Sequence, residues 1–144
     1  MNKRLANTSI AFGVLSCLYN VAFGAFFGFL INLFLAIIDA IADTGGIWPT
    51  VFLLGGIIVM GSSLVDIVAM ILVKRKPLVA GILFAVTAAI FVTYSVLVLV
   101  HLFHGVVLGL AAAGIVLHVI SLATAFAAAK SACPAPQEAV EDEQ

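Results

Sequence analysis

The sequence predicts an all-α membrane protein, an antiparallel bundle of four transmembrane helices with N- and C-termini both cytoplasmic. Three observations predict it. Four apolar stretches are each long enough to cross a bilayer, charge is nearly absent from them, and all six basic residues fall on one side of the resulting topology.

The apolar stretches run over about 5–38, 50–73, 78–100 and 105–129, within a transmembrane domain of 1–130. A hydrocarbon core about 30 Å thick needs about 20 apolar residues per helix, so each stretch suffices. Of the 144 residues, 65% are hydrophobic and 9% charged, with a mean hydropathy of +1.32. A soluble domain is about a quarter charged and about half apolar, so a water-soluble globule is excluded. No segment alternates in polarity as barrel strands do. Continuous apolar runs must then satisfy their own backbone as helices.

The first stretch begins after Met1-Asn2-Lys3-Arg4, as a signal peptide would. Its apolar run continues to Ile38, well past the roughly 7–15 residues of a signal core, so it is read as a retained helix. It also exceeds one span, which predicts a tilt or an interfacial beginning. Cys17 and Cys133 belong to no paired motif, so neither a disulfide framework nor a thiol redox centre is expected.

Lys3 and Arg4 precede helix one, Lys74, Arg75 and Lys76 join helices two and three, and Lys130 follows helix four. With four spans these places share a face, and the positive-inside rule makes that face cytoplasmic in a multi-pass protein of the cell membrane. Short connections make consecutive helices antiparallel. Asp43-Thr44-Gly45-Gly46 reads as a helix end, Trp48 suits the headgroup level, and Pro49 and Pro77 suit the opening turns of helices two and three. From Ser131 to Gln144 the chain becomes proline-bearing and acidic, with Glu138, Glu141, Asp142 and Glu143, which predicts a disordered tail.

Helical spacing gives each helix one face of small and polar residues. In helix one the face carries Gly13, Ser16, Asn20, Gly24, Phe27/Gly28 and Asn32; in helix two, Gly55, Val59, Ser62/Ser63, Asp66 and Met70. In helix three it carries Ala80, Phe84, Thr87, Phe91 and Tyr94; in helix four, Ala111, Gly114, His118, Ser121 and Ala125. Lipid gives no hydrophobic drive between helices, so packing relies on small residues for close approach and polar ones for hydrogen bonds. Gly24-Ala25-Phe26-Phe27-Gly28 and Gly105-Val106-Val107-Leu108-Gly109 are both GxxxG sequences.

At about 1.5 Å per residue from the basic end, Asn20, Ser62, Ser63, Thr87 and His118 fall near the bilayer midplane, with Asp66 about one turn nearer the cytoplasm. A carboxylate at that depth costs roughly 2.5–3.5 kcal/mol on insertion scales and marks a functional candidate. His118 is its expected partner, with Ser62 and Ser63 beside it. The layer reads as a proton or ligand site, or as a polar anchor that holds the bundle together. A second cluster lies at the outer end, where Asp39 and Asp43 are four apart and His101 and His104 three apart. Their spacing permits a metal without specifying one, and interfacial polar caps explain the same residues.

No phosphate-binding loop, zinc-protease helix, nucleophile elbow or dinucleotide fingerprint occurs. No enzymatic activity, no cofactor, no resident metal and no nucleic-acid partner are therefore expected. The expected contacts are the lipid bilayer and either a second copy or another membrane protein. The expected role is association through helices, as an accessory subunit or homo-oligomer. A small proton-coupled transporter or channel using Asp66 and His118 is the alternative. A lipid-binding protein or an intramembrane enzyme is the remoter one.

The stretch Gly61-Ser62-Ser63-Leu64-Val65, then Ile71-Leu72-Val73-Lys74-Arg75-Lys76-Pro77, then Ala80-Gly81-Ile82-Leu83 resembles small four-span bacterial membrane proteins of unknown function. It covers about a quarter of the chain and implies a fold but no activity. The span count and termini are also similar to MARVEL-type tetraspans, without a local motif.

Overall fold

In the computed structural model, residues 2–42, 46–102 and 105–132 are described. The regular structure of the described residues is helical throughout: α1 (Lys3–Ala25), a π-helical segment (Phe26–Ile31), α2 (Asn32–Ala42), α3 (Trp48–Leu72), α4 (Pro77–His101) and α5 (Gly105–Lys130). Four spans among them are long and apolar enough to cross a membrane, the first being continuous through α1, the π segment and α2. α1 packs against α3 and α5, and α4 packs against the same two, so the spans form a closed square in chain order. All six basic residues lie at one end of it. At that end the Asn2 backbone N–H donates to Ser131 Oγ at 3.2 Å, joining the start of α1 to the end of α5.

Each helix starts where the local chemistry favours it. Asn2 caps α1, its side chain accepting from the Arg4 amide at 3.0 Å, which satisfies one of the orphan donors of the first turn. α3 and α4 open with Pro49 and Pro77 in their first turns, where a missing N–H leaves no hydrogen bond unmade. The Lys74–Lys76 turn between them is closed by the amides of Arg75 and Lys76 on the Leu72 carbonyl, at 2.9 and 2.7 Å.

The buried faces follow the small and polar stripes. Ala80, Phe84, Thr87, Phe91 and Tyr94 are buried in α4, and Ala111, Gly114, His118, Ser121 and Ala125 in α5, residue for residue as spaced in the sequence. α3 differs from the expectation: it buries Phe52, Gly56 and Ala69, not Gly55 and Met70, around the shared Val59, Ser62, Ser63 and Asp66. The reason is the crossing with the first span. An added Cβ on Gly56 would collide with Gly28 Cα, and one on Gly24 would lie 2.7 Å from the Gly56 carbonyl oxygen. The Gly24–Gly28 pair is thus used inside the bundle, where only backbone fits between the helices.

For the first span the sequence allows a tilt or an interfacial beginning. It does not begin as an interfacial segment, because Ala6, Ser9, Gly13 and Ser16 are already buried in the bundle. Its surplus lies at the other end. The six-residue π segment starts two residues past Gly24 and contains Gly28, and π turns insert a residue and re-aim the helix beyond. Past the Gly28–Gly56 crossing the span outruns α3 by roughly 9 Å at about 1.5 Å per residue. Ile41 of α2, past the start of α3, is 81% exposed on this chain.

Three layers fill the interior. Phe23, Phe27, Phe52, Phe91 and Tyr94, with Val59, Val98 and Val107, form an aromatic core in the half away from the basic residues. Ala6, Ala69, Val73, Ala80, Phe84 and Ala125 form a tighter one in the basic half. The polar side chains lie between the two.

Candidate functional site

The polar layer draws one or more side chains from every span. Asn20 comes from α1, Ser62 and Asp66 from α3, Thr87 from α4 and His118 from α5, each at most 3% exposed. Asn20 is the hub. Its Nδ2 lies 3.0 Å from Asp66 Oδ2, 3.3 Å from His118 Nε2 and 3.4 Å from Ser62 Oγ. Thr87 Oγ1 lies 2.7 Å from Asp66 Oδ1 and 3.1 Å from the Phe84 carbonyl.

Helix geometry sets these positions. His118 Nδ1 donates to the Gly114 carbonyl one turn back, at 2.8 Å. Gly114 has no side chain because Phe91 and Tyr19 occupy that space. Phe91 then stacks on the His118 ring, with centroids 5.0 Å apart and planes at 19°. Ser62 turns back to donate to the Val59 carbonyl at 2.7 Å, a local bond typical of serine inside a helix.

Asp66 and His118 therefore do not pair directly, as the sequence led one to expect; Asn20 stands between them. Asp66 also meets Asn20 directly, Oδ2 to Nδ2 at 3.0 Å, where the count along the helices places it about one turn nearer the basic end. Ser63 is elsewhere as well. Its hydroxyl donates to the Cys17 carbonyl at 3.2 Å and the Cys17 thiol points back to the Ser63 carbonyl at 3.8 Å, a separate α1–α3 contact. Toward the basic end, Ser9 Oγ donates to the Ser121 carbonyl at 3.1 Å and Ser16 Oγ meets Ser121 Oγ at 3.3 Å, joining α1 to α5.

Counting donors and acceptors fixes what the layer can do. The Nδ1–H of His118 is used on Gly114, so in neutral imidazole Nε2 is an acceptor, matched by the Asn20 amide. That amide faces acceptors on both sides and serves His118 and Asp66 at once. Asp66 can then be held in two ways without any heavy atom moving. As a carboxylate it accepts from Asn20 and from the Thr87 hydroxyl. As the acid, its Oδ1–H donates to Thr87 Oγ1, and the Thr87 hydroxyl turns to the Phe84 carbonyl. Both states leave the Asn20 Oδ1 atom buried without a partner among the described residues. No Lys or Arg belongs to this layer, all six being at the basic end.

At the outer end only His101 is described in full. Its ring packs on Trp48, with centroids 3.8 Å apart, and on the edge of Phe52, and its Nδ1 donates to the Leu97 carbonyl at 2.9 Å. Asp43 and His104 lie outside the described residues, as does the tail from Cys133, and the Asp39 side chain is not described. Among the described residues no three His, Cys, Asp or Glu side chains converge.

Gly114, Phe91 and Tyr19 support the site but were not legible as its partners. The spacing of Gly114 four residues before His118 was the available signal, since a helical side chain reaches the carbonyl one turn back. Two lipid-facing grooves complete the picture. One of about 540 Å³ runs between α3 and α4, with Gly55, Val59 and Tyr94 at its floor and Leu54, Ile58, Ala89 and Thr93 among its walls. The other, of about 390 Å³, lies between α4 and α5 at the basic end. Neither is lined by Asn20, Asp66, Thr87 or His118. No family model, no curated protein and no solved structure matches the chain.

Proposed function

We propose that this membrane protein works without catalysis, by associating through its helices with a second copy or with another protein of the cell membrane, its termini in the cytoplasm. The observation that carries the reading is the enclosure of the polar layer. Asn20, Asp66 and Thr87 are 0% exposed and His118 1%, and they bond to one another across all four spans. Such a layer acts as a clasp that fixes one packing of the bundle, a role polar side chains commonly have between membrane helices. What remains for recognition is the outer surface. There the α3–α4 groove offers small side chains, Gly55, Ala89 and Thr93, at which a second helix can approach closely.

Purification from native membranes in mild detergent, with Ala89→Phe as the comparison, tests this reading. We expect an oligomer or a stoichiometric partner from the wild type, weakened tenfold or more when the phenyl ring fills the groove. A strictly monomeric, partner-free protein sinks the proposal.

One observation favours a second reading, proton-coupled transport. The layer can hold Asp66 either ionised or protonated, with only the Thr87 hydroxyl turning between Asp66 and the Phe84 carbonyl. Proton flux into liposomes that vanishes in Asp66→Asn, with the oligomer unchanged, would establish it; no flux under any gradient counts against it.

A further inference from the structure

The α4–α5 groove differs from the α3–α4 groove in carrying charge. Lys76 and Lys130 stand at its rim, and Leu78, Val79, Phe126 and Ala129 make it apolar within. Its shape has a local cause. Gly81 lacks the side chain that would press on the Phe126 ring, which lies 3.1–3.3 Å from the Cβ position. Phe126 can therefore pack closely on α4 at the groove, still 39% exposed.

Among the described residues nothing acidic stands at the start of α4 to neutralise this charge. Lys76 is the N-cap of α4, its side chain caps nothing, and the first turn of that helix has no acidic residue. A cation is thus set at the positive end of a helix, where an anion is favoured. Lys130 sits in the last turn of α5, beside carbonyls already occupied by the Ser131 hydroxyl on Ala128 at 2.8 Å and the Ala132 amide on Ala129 at 3.0 Å. Lys130 itself lines the groove. Long basic side chains at a span end reach to headgroup level while their stems lie along apolar surface.

We propose that this groove binds one anionic phospholipid of the leaflet at the basic end, the phosphate held by Lys76 and Lys130 and an acyl chain lying on Phe126, Leu78 and Val79. Charge complementarity selects the occupant. Two cations over an apolar floor match an anionic headgroup on a hydrocarbon chain, and basic pockets between membrane helices on the cytoplasmic side take such lipids. A zwitterionic lipid offers the same chain with no net charge, and free phosphate offers the charge with no chain.

Native mass spectrometry of the full chain, released from vesicles with equal phosphatidylglycerol and phosphatidylcholine of matched chains, tests it. We expect one phosphatidylglycerol retained in preference to phosphatidylcholine. Lys76→Gln with Lys130→Gln should lower that retention about tenfold or more. Val79→Trp, which fills the groove but keeps both charges, should lower it as well. Lys3→Gln with Arg4→Gln, the same charge loss at the same end but outside the groove, should leave it unchanged. Equal retention of the two lipids overturns the proposal, whether the groove is empty or covered by the acidic tail. So does a loss as large in the Lys3/Arg4 variant, which would mean diffuse attraction to the surface, or displacement by millimolar inorganic phosphate, which would mean a free-anion site.

Discussion

Asn20 is the residue on which the polar layer depends, because its one amide group serves acceptors on two other spans. Replacing it with leucine removes the bonds to both Asp66 and His118 and leaves two buried polar groups short of a donor. The cost of such a change is about 1–3 kcal/mol in proteins generally. Individual bonds in membrane bundles average about 0.6 kcal/mol, which places the expected loss at about 1–2 kcal/mol. Asn32→Leu, at a half-buried position further along the span, should change stability by less than about 0.5 kcal/mol. Unfolding titrations in mixed detergent measure both, and equal losses would remove Asn20 from its special place. The sequence exposed Asn20, Asp66, Thr87 and His118 as polar intrusions on the inner faces. It could not show who bonds to whom. Partner choice depends on how helices pack, and it is Asn20, rather than the expected His118, that bonds to Asp66.

At the scale of elements, legibility tracked regularity. α4 and α5 are unbroken helices packed along their length, so a 3.6-residue period on paper is the same face in space. α3 differs by a residue at both ends, Ala69 in place of Met70 and Gly56 in place of Gly55 on the buried face; the two glycines are adjacent and fit the period equally well. Only the presence of Gly28 opposite decides between them. Gly56→Leu should therefore cost about 3 kcal/mol or more, at the upper end of overpacking, since the backbone of Gly24 and Gly28 faces it. Gly61→Ala, where a Cβ meets nothing within 4 Å, should stabilise by about 0.5–1 kcal/mol through helix propensity alone. Thermal midpoints in one detergent compare the two. The π segment had no signal in the sequence, neither proline nor polar break. Deleting Leu30, exposed on the segment, should convert it to α-helix and leave α1 and the polar layer in place. Deleting Ala11 should turn everything after it by about 100° and unfold the bundle. Circular dichroism with a thermal scan distinguishes them.

For the whole molecule, the bundle of four spans and the basic residues gathered at one end are both readable. Long apolar runs leave the chain few alternatives in a bilayer. Orientation is the prediction proper to this scale. In a background with Cys17→Ala and Cys133→Ala, a cysteine at Trp48 should react with an impermeant thiol reagent added outside intact cells, and one at Arg75 only after lysis. The reverse pattern would invert the topology and move the basic groove to the other leaflet.

The bond between the Asn2 amide and the Ser131 hydroxyl makes the chain nearly a ring. Its two hairpins, α1 through α3 and α4 with α5, meet at two seams on the same end: the Lys74–Lys76 turn, and the gap that this bond closes. Chain order across those seams is then a matter of connectivity alone. A rearranged gene that begins at Lys76, runs through Ala132, continues by a short linker into Asn2 and stops at Arg75 would keep every span's direction and every contact of the polar layer. The two hairpins are in this sense interchangeable halves, and the same bundle should assemble when they are expressed as separate polypeptides in one membrane.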